Sequence, residues 1–440
     1  MKAAAVAPVA APGLARRACS AKTERTRLRQ LTWALGLLGV ILVGQANEFS
    51  AAYLDNGRIF SPVAFGLSLF ALVWGLRLLP VPRFGLPLGL LVLTLCYTLV
   101  AGTLVSAPLT SLDSLWSDAS RLVRALVALL CIFVGVQTVL VRGDIRTVAL
   151  AITTVAAAVV AYQVASFLLG HQPSIQMDDT SDDTFRYSGI FGNPNQAASF
   201  CVLLVCMSLL APLSTGTRLL LAGLALAGLV STFSRGGLVT FAAVAAANAM
   251  LGPARGRLAF FIAFIATGTI VFFIVPTLAQ SGVMPPGMAK HVMGLYNLLT
   301  GQAEITDNSR GILVVKALSA IDEHPLSGYG FGRYYSVIGK GSHNMYTHFA
   351  LLAGVPAALL YMASIGALAW CGLKLRDHAE RRFVVSIAAW MAAMGLSSHN
   401  LFDEKYSVLL IAIACAIVAV RLAPSKARRR APHVDAIPSV

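Results

Sequence analysis

The stretch 185–195 combines residues that could bind an anion. It reads Phe-Arg-Tyr-Ser-Gly-Ile-Phe-Gly-Asn-Pro-Asn and contains Arg186, Asn193 and Asn195. Asn193 is a good N-cap and Pro194 a good first helical residue, so a helix is predicted to begin here. The start of a helix offers free N–H groups and a positive dipole end, and with Arg186 beside it the site is suited to phosphate. A capped helix next to a solvated arginine would give the same pattern.

A second stretch, 342–348, could move a proton. It reads Ser-His-Asn-Met-Tyr-Thr-His and places His343 and Asn344 at the start of an apolar run. A helix N-terminus disfavours the imidazolium ion, so His343 would stay neutral, as a general base must be. The alternative is a polar cap or an interfacial histidine. His348 lies about 140° further round a helix, so the two histidines do not form a metal pair.

A third candidate is Arg310. Asp307 or Asn308 is predicted to cap an amphipathic helix that carries Arg310 in its first turn and runs to about residue 322. The chain then breaks at 324–325 and continues through the glycine-rich segment 327–332. An ordinary surface cation is the alternative interpretation of Arg310.

Charges close to apolar runs form a second tier of candidates. These are Arg124, Arg235 and Asp403. Charged groups near a membrane span are costly to bury and often functional, although several of these could simply reach the interface. The acidic pairs at 178–179 and 182–183 are interpreted as a solvated loop tip, and neither a metal site nor a cofactor is predicted.

The elements that must position these residues are membrane helices. Of the 440 residues, 57% are apolar and 12% charged, and the mean hydropathy of +0.75 excludes a cytosolic globular enzyme. Because a crossing helix needs roughly 20 apolar residues, the sequence predicts about twelve spans in an all-α polytopic protein. Their limits are 31–46, 60–79, 84–105, 119–141, 147–169, 194–212, 217–233, 236–251, 257–276, 344–370, 383–398 and 405–422. The seventh and eighth are predicted to form a tight hairpin.

Charge placement predicts the orientation. Assigning loops alternately puts 23 of the 34 Lys and Arg residues and 5 of the 19 acidic residues on the side of the N-terminus, giving +18 there and −3 opposite. This positive-inside bias predicts two cytoplasmic termini and excludes a nucleic-acid-binding surface. The predicted organisation is a basic tail (1–30), a membrane domain (31–422) with periplasmic loops 170–193 and 277–342, and a second basic tail (423–440). Since one cysteine lies in a tail and six lie in spans, no disulfide is expected.

In combination, these motifs resemble the bacterial O-antigen ligase family. The likeness rests on the stretches 186–195, 231–236 and 308–344, in the order and topology of that family. His343-Asn344 followed by Gly354 matches its His-[Asn/Ser/Gln]-x9-Gly pattern, although Ala357 stands where the family would have Gly, Thr or Tyr.

The resemblance implies an inverting, metal-independent glycosyltransferase of the GT-C type in the bacterial inner membrane, with its large periplasmic loop between the ninth and tenth spans. Such an enzyme takes O-polysaccharide from undecaprenyl diphosphate and joins it to the lipid A core on the periplasmic face. His343 would then accept the acceptor proton, while Arg186 and Arg310, with the helix start at Asn193 and Asn195, would hold the diphosphate. Asn344 joins the second tier. Membrane lipid is the only other partner expected, since no obligate protein partner is evident.

Three alternatives stay open. An O-antigen polymerase and a protein O-oligosaccharyltransferase belong to the same superfamily and differ in their acceptor. A secondary transporter would also have about twelve spans, but it would be expected to show internal repeats and ionisable groups near the midplane. We find no repeat, and the polar residues gather at one face.

Overall fold

A computed structural model describes most of the chain. The described residues are 12–46, 60–79, 81–106, 112–143, 145–170, 187–191, 193–232, 234–253, 310–339, 341–398 and 400–423, with four single positions between 277 and 297. Regular structure in these residues is helical, without strands. We number the helices α1 (Pro12–Val43), α2 (Phe60–Leu78), α3 (Leu86–Ser106), α4 (Leu112–Arg142), α5 (Ile145–Leu168), α6 (Pro194–Leu210), α7 (Thr215–Ser231), α8 (Arg235–Met250), α9 (Arg310–Glu323), α10 (Tyr334–Ile338), α11 (Met345–Ala353), α12 (Val355–Leu373), α13 (His378–Gly395) and α14 (Lys405–Arg421).

The helices fall where apolar runs predict spans. The first eight predicted spans and the last two coincide with one helix each. The ninth (257–276) lies outside the described residues, and the tenth (344–370) is divided between two helices. Six segments are long and apolar enough to cross a membrane, namely Lys22–Val43, α2, α3, Asp118–Arg142, α5 and α12, while α6 and α7 are shorter apolar helices. The chain is therefore an all-helical, multi-pass membrane protein in its described part. The total of twelve spans stays a prediction.

The bundle is arranged around α14. Every residue from Tyr406 to Val420 is buried, as expected for a helix that is apolar on all sides and lies at the centre of a large bundle. On the outer helices α2 and α3, by contrast, large apolar side chains such as Phe65 and Leu104 are 58% and 71% exposed. An exposed apolar surface of this kind is typical of contact with lipid.

Ion pairs at one end of the bundle join segments that are far apart in sequence. Arg142 pairs with Glu24, Arg146 lies 4.0 Å from Asp377, and the Arg421 guanidinium binds the Glu380 carboxylate at 2.8 Å, in each case linking residues assigned to the side of the N-terminus. At the opposite end, Arg121 on α4 lies 3.9 Å from Asp403 before α14. The assignment of successive loops to opposite sides of the membrane predicts that the first three pairs share one end of the bundle and that Arg121 and Asp403 lie at the other.

The predicted tenth span is wrong as a single helix. It is divided at Gly354, whose φ of +81° lies in the left-handed region. A Cβ atom there would lie 2.3 Å from the Leu326 carbonyl oxygen, so only glycine fits. Pro356 reinforces the break because it has no N–H and would clash with the carbonyl four residues earlier. The spanning helix is α12, and α11 precedes it as a short separate helix.

The glycine-rich segment after α9 completes this break. The Tyr329 N–H donates to the Leu351 carbonyl at 2.6 Å, and the Gly330 N–H donates to the Leu352 carbonyl at 3.1 Å. In the opposite direction, the Val355 N–H donates to the Pro325 carbonyl at 2.7 Å. Groups freed where α11 ends are thereby satisfied. The segment has a structural role, and α9 ends at Glu323, close to the predicted limit of 322.

The predicted hairpin of α7 and α8 is only partly correct. The two helices follow one another closely, as expected, since α7 ends at Ser231 and α8 begins at Arg235. Their main partners differ, however: α7 packs on α5 and α6, whereas α8 packs most extensively on α13 and also on α6. The glycines allow this close packing. A Cβ at Gly228 of α7 would lie 2.7 Å from the Val160 side chain on α5, and one at Gly236 of α8 would lie 2.5 Å from the Ser397 side chain after α13.

Candidate active site

His343 lies in a constrained turn directly before α11. Its φ of +50° is unusual for a residue other than glycine and is shared, among the described non-glycine residues, only with Gln45. The hydroxyls of Ser342 and Thr347 both donate to the Asn344 carbonyl, at 3.0 and 3.2 Å, and so bracket the turn. Backbone strain of this kind persists where the surroundings hold it, often at functional sites.

Asn344 is the N-cap of α11. Its Oδ1 accepts from Tyr346 N–H at 2.9 Å and Thr347 N–H at 3.2 Å. The helix therefore starts directly after the histidine, and its positive dipole end lies there, as the sequence predicts.

The start of α6 is capped as predicted but offers fewer free donors than predicted. Asn193 Oδ1 accepts from Asn195 N–H at 2.8 Å, and the Asn193 carbonyl accepts from the N–H groups of Gln196 and Ala197 at 3.0 and 3.2 Å. Pro194 has no N–H. The expectation of free N–H groups is thus wrong for this first turn, because the cap and the proline leave none of these four positions open. The dipole end and the asparagine side chains remain.

The structure joins the starts of α6 and α8. The Ser234 hydroxyl donates to Asn195 Oδ1 at 2.9 Å and also accepts from Gly237 N–H as the N-cap of α8. Arg235 is the first residue of α8. The stretch 186–195 is therefore hydrogen-bonded to Ser234, the residue directly before the second-tier candidate Arg235.

The end of α13 connects this pair to α11. Gly236 packs against Ser397, just beyond α13, and the Tyr346 hydroxyl on α11 donates to the Ala392 carbonyl at 2.9 Å. Three helix starts, those of α6, α8 and α11, thus gather at one end of the bundle. They carry Asn193, Asn195, Arg235 and Asn344, with His343 directly before α11.

Two candidate arginines cannot be placed in this way. Arg186 lies outside the described residues, and Arg310 begins α9 with a side chain that is also outside them. Arg124 turns back along its own helix, since its Nε donates to the Ser120 carbonyl at 3.2 Å. The acidic pairs of 170–193 are not among the described residues either, and within the described part no three His, Cys, Asp or Glu side chains form a metal-binding group.

Asp403 lines a cavity that the sequence does not predict. We call it the outer cavity. It has an empty volume of about 440 Å³ including its open mouth and is formed by residues of α4, α10, α11 and the loops before α10 and α14, namely Asp118, Arg121, Leu122, Phe331, Tyr334, Tyr335, Met345, His348, Leu352, Phe402 and Asp403.

The polar groups of the outer cavity are held in place. Asp118 Oδ2 accepts from Gly332 N–H at 3.2 Å, and Arg121 pairs with Asp403. Loss of surrounding water raises the pKa of the Asp403 carboxyl, and Asp118 adds to this effect while Arg121 and Arg124 oppose it. Burial likewise raises the pKa of the Tyr334 hydroxyl, which therefore stays protonated at neutral pH.

Comparison with known protein families gives a match within the chain. Residues 220–362, about a third of the chain, match the family model described as O-antigen ligase. We call this stretch the ligase-family region, because it is similar to that family. It runs from α7 into α12 and contains Arg235, Arg310, His343 and Asn344, while Asp403 lies beyond it. No curated protein matches the chain.

The match confirms the resemblance seen in the sequence. The match supports a glycosyltransferase role of the ligase and polymerase kind, which uses a lipid-linked polysaccharide donor and a lipid acceptor. The roles of individual residues in this ligase-family region stay predictions.

Proposed function

We propose that the protein is an inverting, metal-independent glycosyltransferase that ligates O-antigen polysaccharide from undecaprenyl diphosphate to the lipid A core at the periplasmic face of the inner membrane. The observation that carries the proposal is the position of His343, which lies in a strained turn before a capped helix inside the ligase-family region. Such a histidine is placed to accept a proton.

In the reaction, an acceptor hydroxyl attacks the anomeric carbon of the donor's first sugar. The bond between that carbon and the acceptor oxygen forms as its bond to the phosphate oxygen breaks, and the electron pair leaves with the diphosphate. His343 takes the hydroxyl proton on a ring nitrogen. Attack from the face opposite the leaving group inverts the configuration.

The leaving diphosphate needs positive charge more than it needs a proton. Arg186 and Arg310 would supply it, since guanidinium groups bind phosphate in a bidentate manner. The dipole end of α6, with the side chains of Asn193 and Asn195, adds a second source, and Arg235 begins the neighbouring helix.

The proposal predicts independence from divalent cations. Enough fixed positive charge can stabilise the leaving group without an ion. Treatment of the purified protein with EDTA should leave ligation unchanged. Loss of activity that Mg²⁺ restores would return attention to the acidic pairs in 170–193.

His343→Asn tests the base. Asparagine tolerates a positive φ but cannot accept a proton at neutral pH, so folding should persist while ligation falls by about 10²-fold or more. His378→Asn is the matched control, because His378 is exposed at the other end of the bundle. Polysaccharide-bearing lipopolysaccharide on a gel, in a ligase-deficient strain, is the readout. Full ligation by His343→Asn would exclude the role.

Arg186→Ala and Arg310→Ala test the anion site. Each should lower ligation severely and weaken donor binding, because loss of one stabilising donor typically costs 10² to 10³-fold in rate. Unchanged ligation together with unchanged donor affinity would remove both from the mechanism.

Ligase and polymerase functions are separated by deletion of the gene. Loss of the polysaccharide ladder with lipid-linked polymer retained supports the ligase. Addition of a single repeat to the core would instead identify a polymerase, and loss of sugar from a surface protein an oligosaccharyltransferase.

A further inference from the structure

The outer cavity contains groups that the proposed mechanism does not use. Asp118 and Arg121 lie on α4, while Tyr334, Tyr335 and His348 come from α10 and α11. Of these, Tyr335 is 36% exposed and Arg121 is 49% exposed, so both can meet a ligand that enters from outside.

The charge of the cavity selects against anions. Two carboxylates, Asp118 and Asp403, face one guanidinium, Arg121, so the balance of these three groups is negative. A diphosphate would be repelled here, since like charges placed together are unfavourable. Neutral hydroxyl groups, by contrast, can donate to the carboxylates and accept from the arginine.

Aromatic rings form one wall of the cavity. The rings of Tyr334 and Tyr335 lie 4.1 Å apart between centroids, and that of His348 meets Tyr334 edge-on at 5.2 Å. Flat apolar surface beside hydroxyl-binding groups suits a sugar ring, which has apolar C–H faces and polar edges.

The cavity reaches the first residue of α11, two positions after the proposed base. Met345 is a lining residue and follows His343 by two positions, at the start of α11. A sugar bound in the cavity would therefore present a hydroxyl close to the turn that carries His343. Of the other proposed phosphate-binding groups, Asn193 and Asn195 lie at the start of α6 and Arg235 at the start of α8.

We propose that the outer cavity is the subsite for the acceptor glycan and that it takes a neutral sugar in preference to an acidic one. The assignment rests on the proposed function for the identity of the acceptor. Asp118, Arg121 and Asp403 bind its hydroxyls, and Tyr335 packs on its face.

Two-substrate kinetics test the subsite. The purified full chain is given undecaprenyl-diphosphate-linked polysaccharide and, as acceptor, lipopolysaccharide without O-antigen from a ligase-deficient strain. Arg121→Gln should raise KM for the acceptor about tenfold, the size expected for one hydrogen bond to a charged group, with donor KM unchanged. Arg146→Gln is the matched control, since Arg146 is also exposed and lies at a similar distance, 4.0 Å, from one carboxylate at the opposite end. An unchanged acceptor KM in Arg121→Gln would overturn the assignment.

Direct binding separates failure of the subsite from failure of the proposed function. The probes are methyl β-D-glucopyranoside and methyl β-D-glucuronide, which share ring stereochemistry and differ by one carboxylate. Their binding to the full chain is measured by saturation-transfer NMR. We expect the neutral glycoside to bind more tightly, and Asp118→Asn to reduce the difference. Binding of this pattern in a protein without ligation would support the subsite and refute the ligase. Equal binding of both glycosides, unaffected by Asp118→Asn, would refute the subsite while leaving the ligase intact.

Discussion

His343 combines a chemical and a conformational feature. Its helix-start position follows from the sequence, because Asn344 is a good N-cap before an apolar run. Its positive φ does not, since nothing in the residue types requires a histidine to adopt the left-handed region. The bracketing bonds from Ser342 and Thr347 show how the fold holds this torsion. A base fixed in this way loses little orientation when substrate binds.

At the same scale, Asp403 predicts a pH dependence. Because its pKa is raised in the folded protein, the folded carboxyl keeps its proton to a higher pH than the unfolded one. The stability that it contributes is therefore greatest below the ordinary aspartate pKa of about 3.9 and is lost as pH rises through the raised value. Asp403→Asn should have a Tm at pH 7 at least as high as that of the unaltered protein, and a smaller advantage or none at pH 4.

Thermal unfolding in detergent at the two pH values measures this difference. Arg121→Gln is the companion variant, because it removes the partner of Asp403 without changing the carboxyl. A lower Tm for Asp403→Asn at pH 7 would mean that pairing with Arg121 outweighs the cost of removing water from the carboxylate.

At the scale of elements, the break between α11 and α12 depends on one glycine. Gly354→Ala forces a Cβ to within 2.3 Å of the Leu326 carbonyl oxygen at a φ of +81°, so we expect a loss of about 2–5 kcal/mol in the free energy of unfolding. Gly366→Ala, inside α12 with no atom within 4 Å of the new Cβ, should be neutral or stabilising by up to about 1 kcal/mol. The Tm values of the two variants give the comparison, and equal values would contradict the role of Gly354.

The start of α6 gives a second prediction at this scale. Asn193→Asp and Asn193→Ser both keep a good N-cap, so neither should destabilise the helix much. Only aspartate adds negative charge where the donor diphosphate is proposed to lie. It should raise donor KM about tenfold or more, because like charges in contact cost several kcal/mol. Steady-state kinetics with varied donor separate the two, and a donor KM that is equal in both variants would remove α6 from the anion site.

At the scale of the whole molecule, the sequence predicts what bilayer thickness dictates and misses what depends on contacts between distant segments. Span positions follow from apolar length, which is why α2 to α8 lie where they are predicted. The break at Gly354 was not predicted, because 344–370 is apolar throughout and glycine is tolerated in membrane helices. The outer cavity joins residues from Asp118 to Asp403, and spacing along the chain gives no information about which helix ends meet.

The orientation of the whole bundle leads to the last prediction. Two ion pairs, Arg142 with Glu24 and Arg421 with Glu380, connect segments assigned to the side of the N-terminus. The pair of Arg121 and Asp403 lies at the opposite end of the bundle. With a bias of +18 against −3, the positive-inside rule predicts that the first group lies in the cytoplasm. Alkaline phosphatase fused after residue 181 or 300 should be active, and green fluorescent protein fused after residue 254 or 440 should fluoresce. The fusions after residues 254 and 300 lie on either side of the ninth predicted span. Cytoplasmic signals from both would show that this segment does not cross the membrane, and the number of crossings between the tails would then be odd. Signals reversed at all four positions would instead keep the count of spans and place the His343 end of the bundle in the cytoplasm, where a periplasmic ligase could not work.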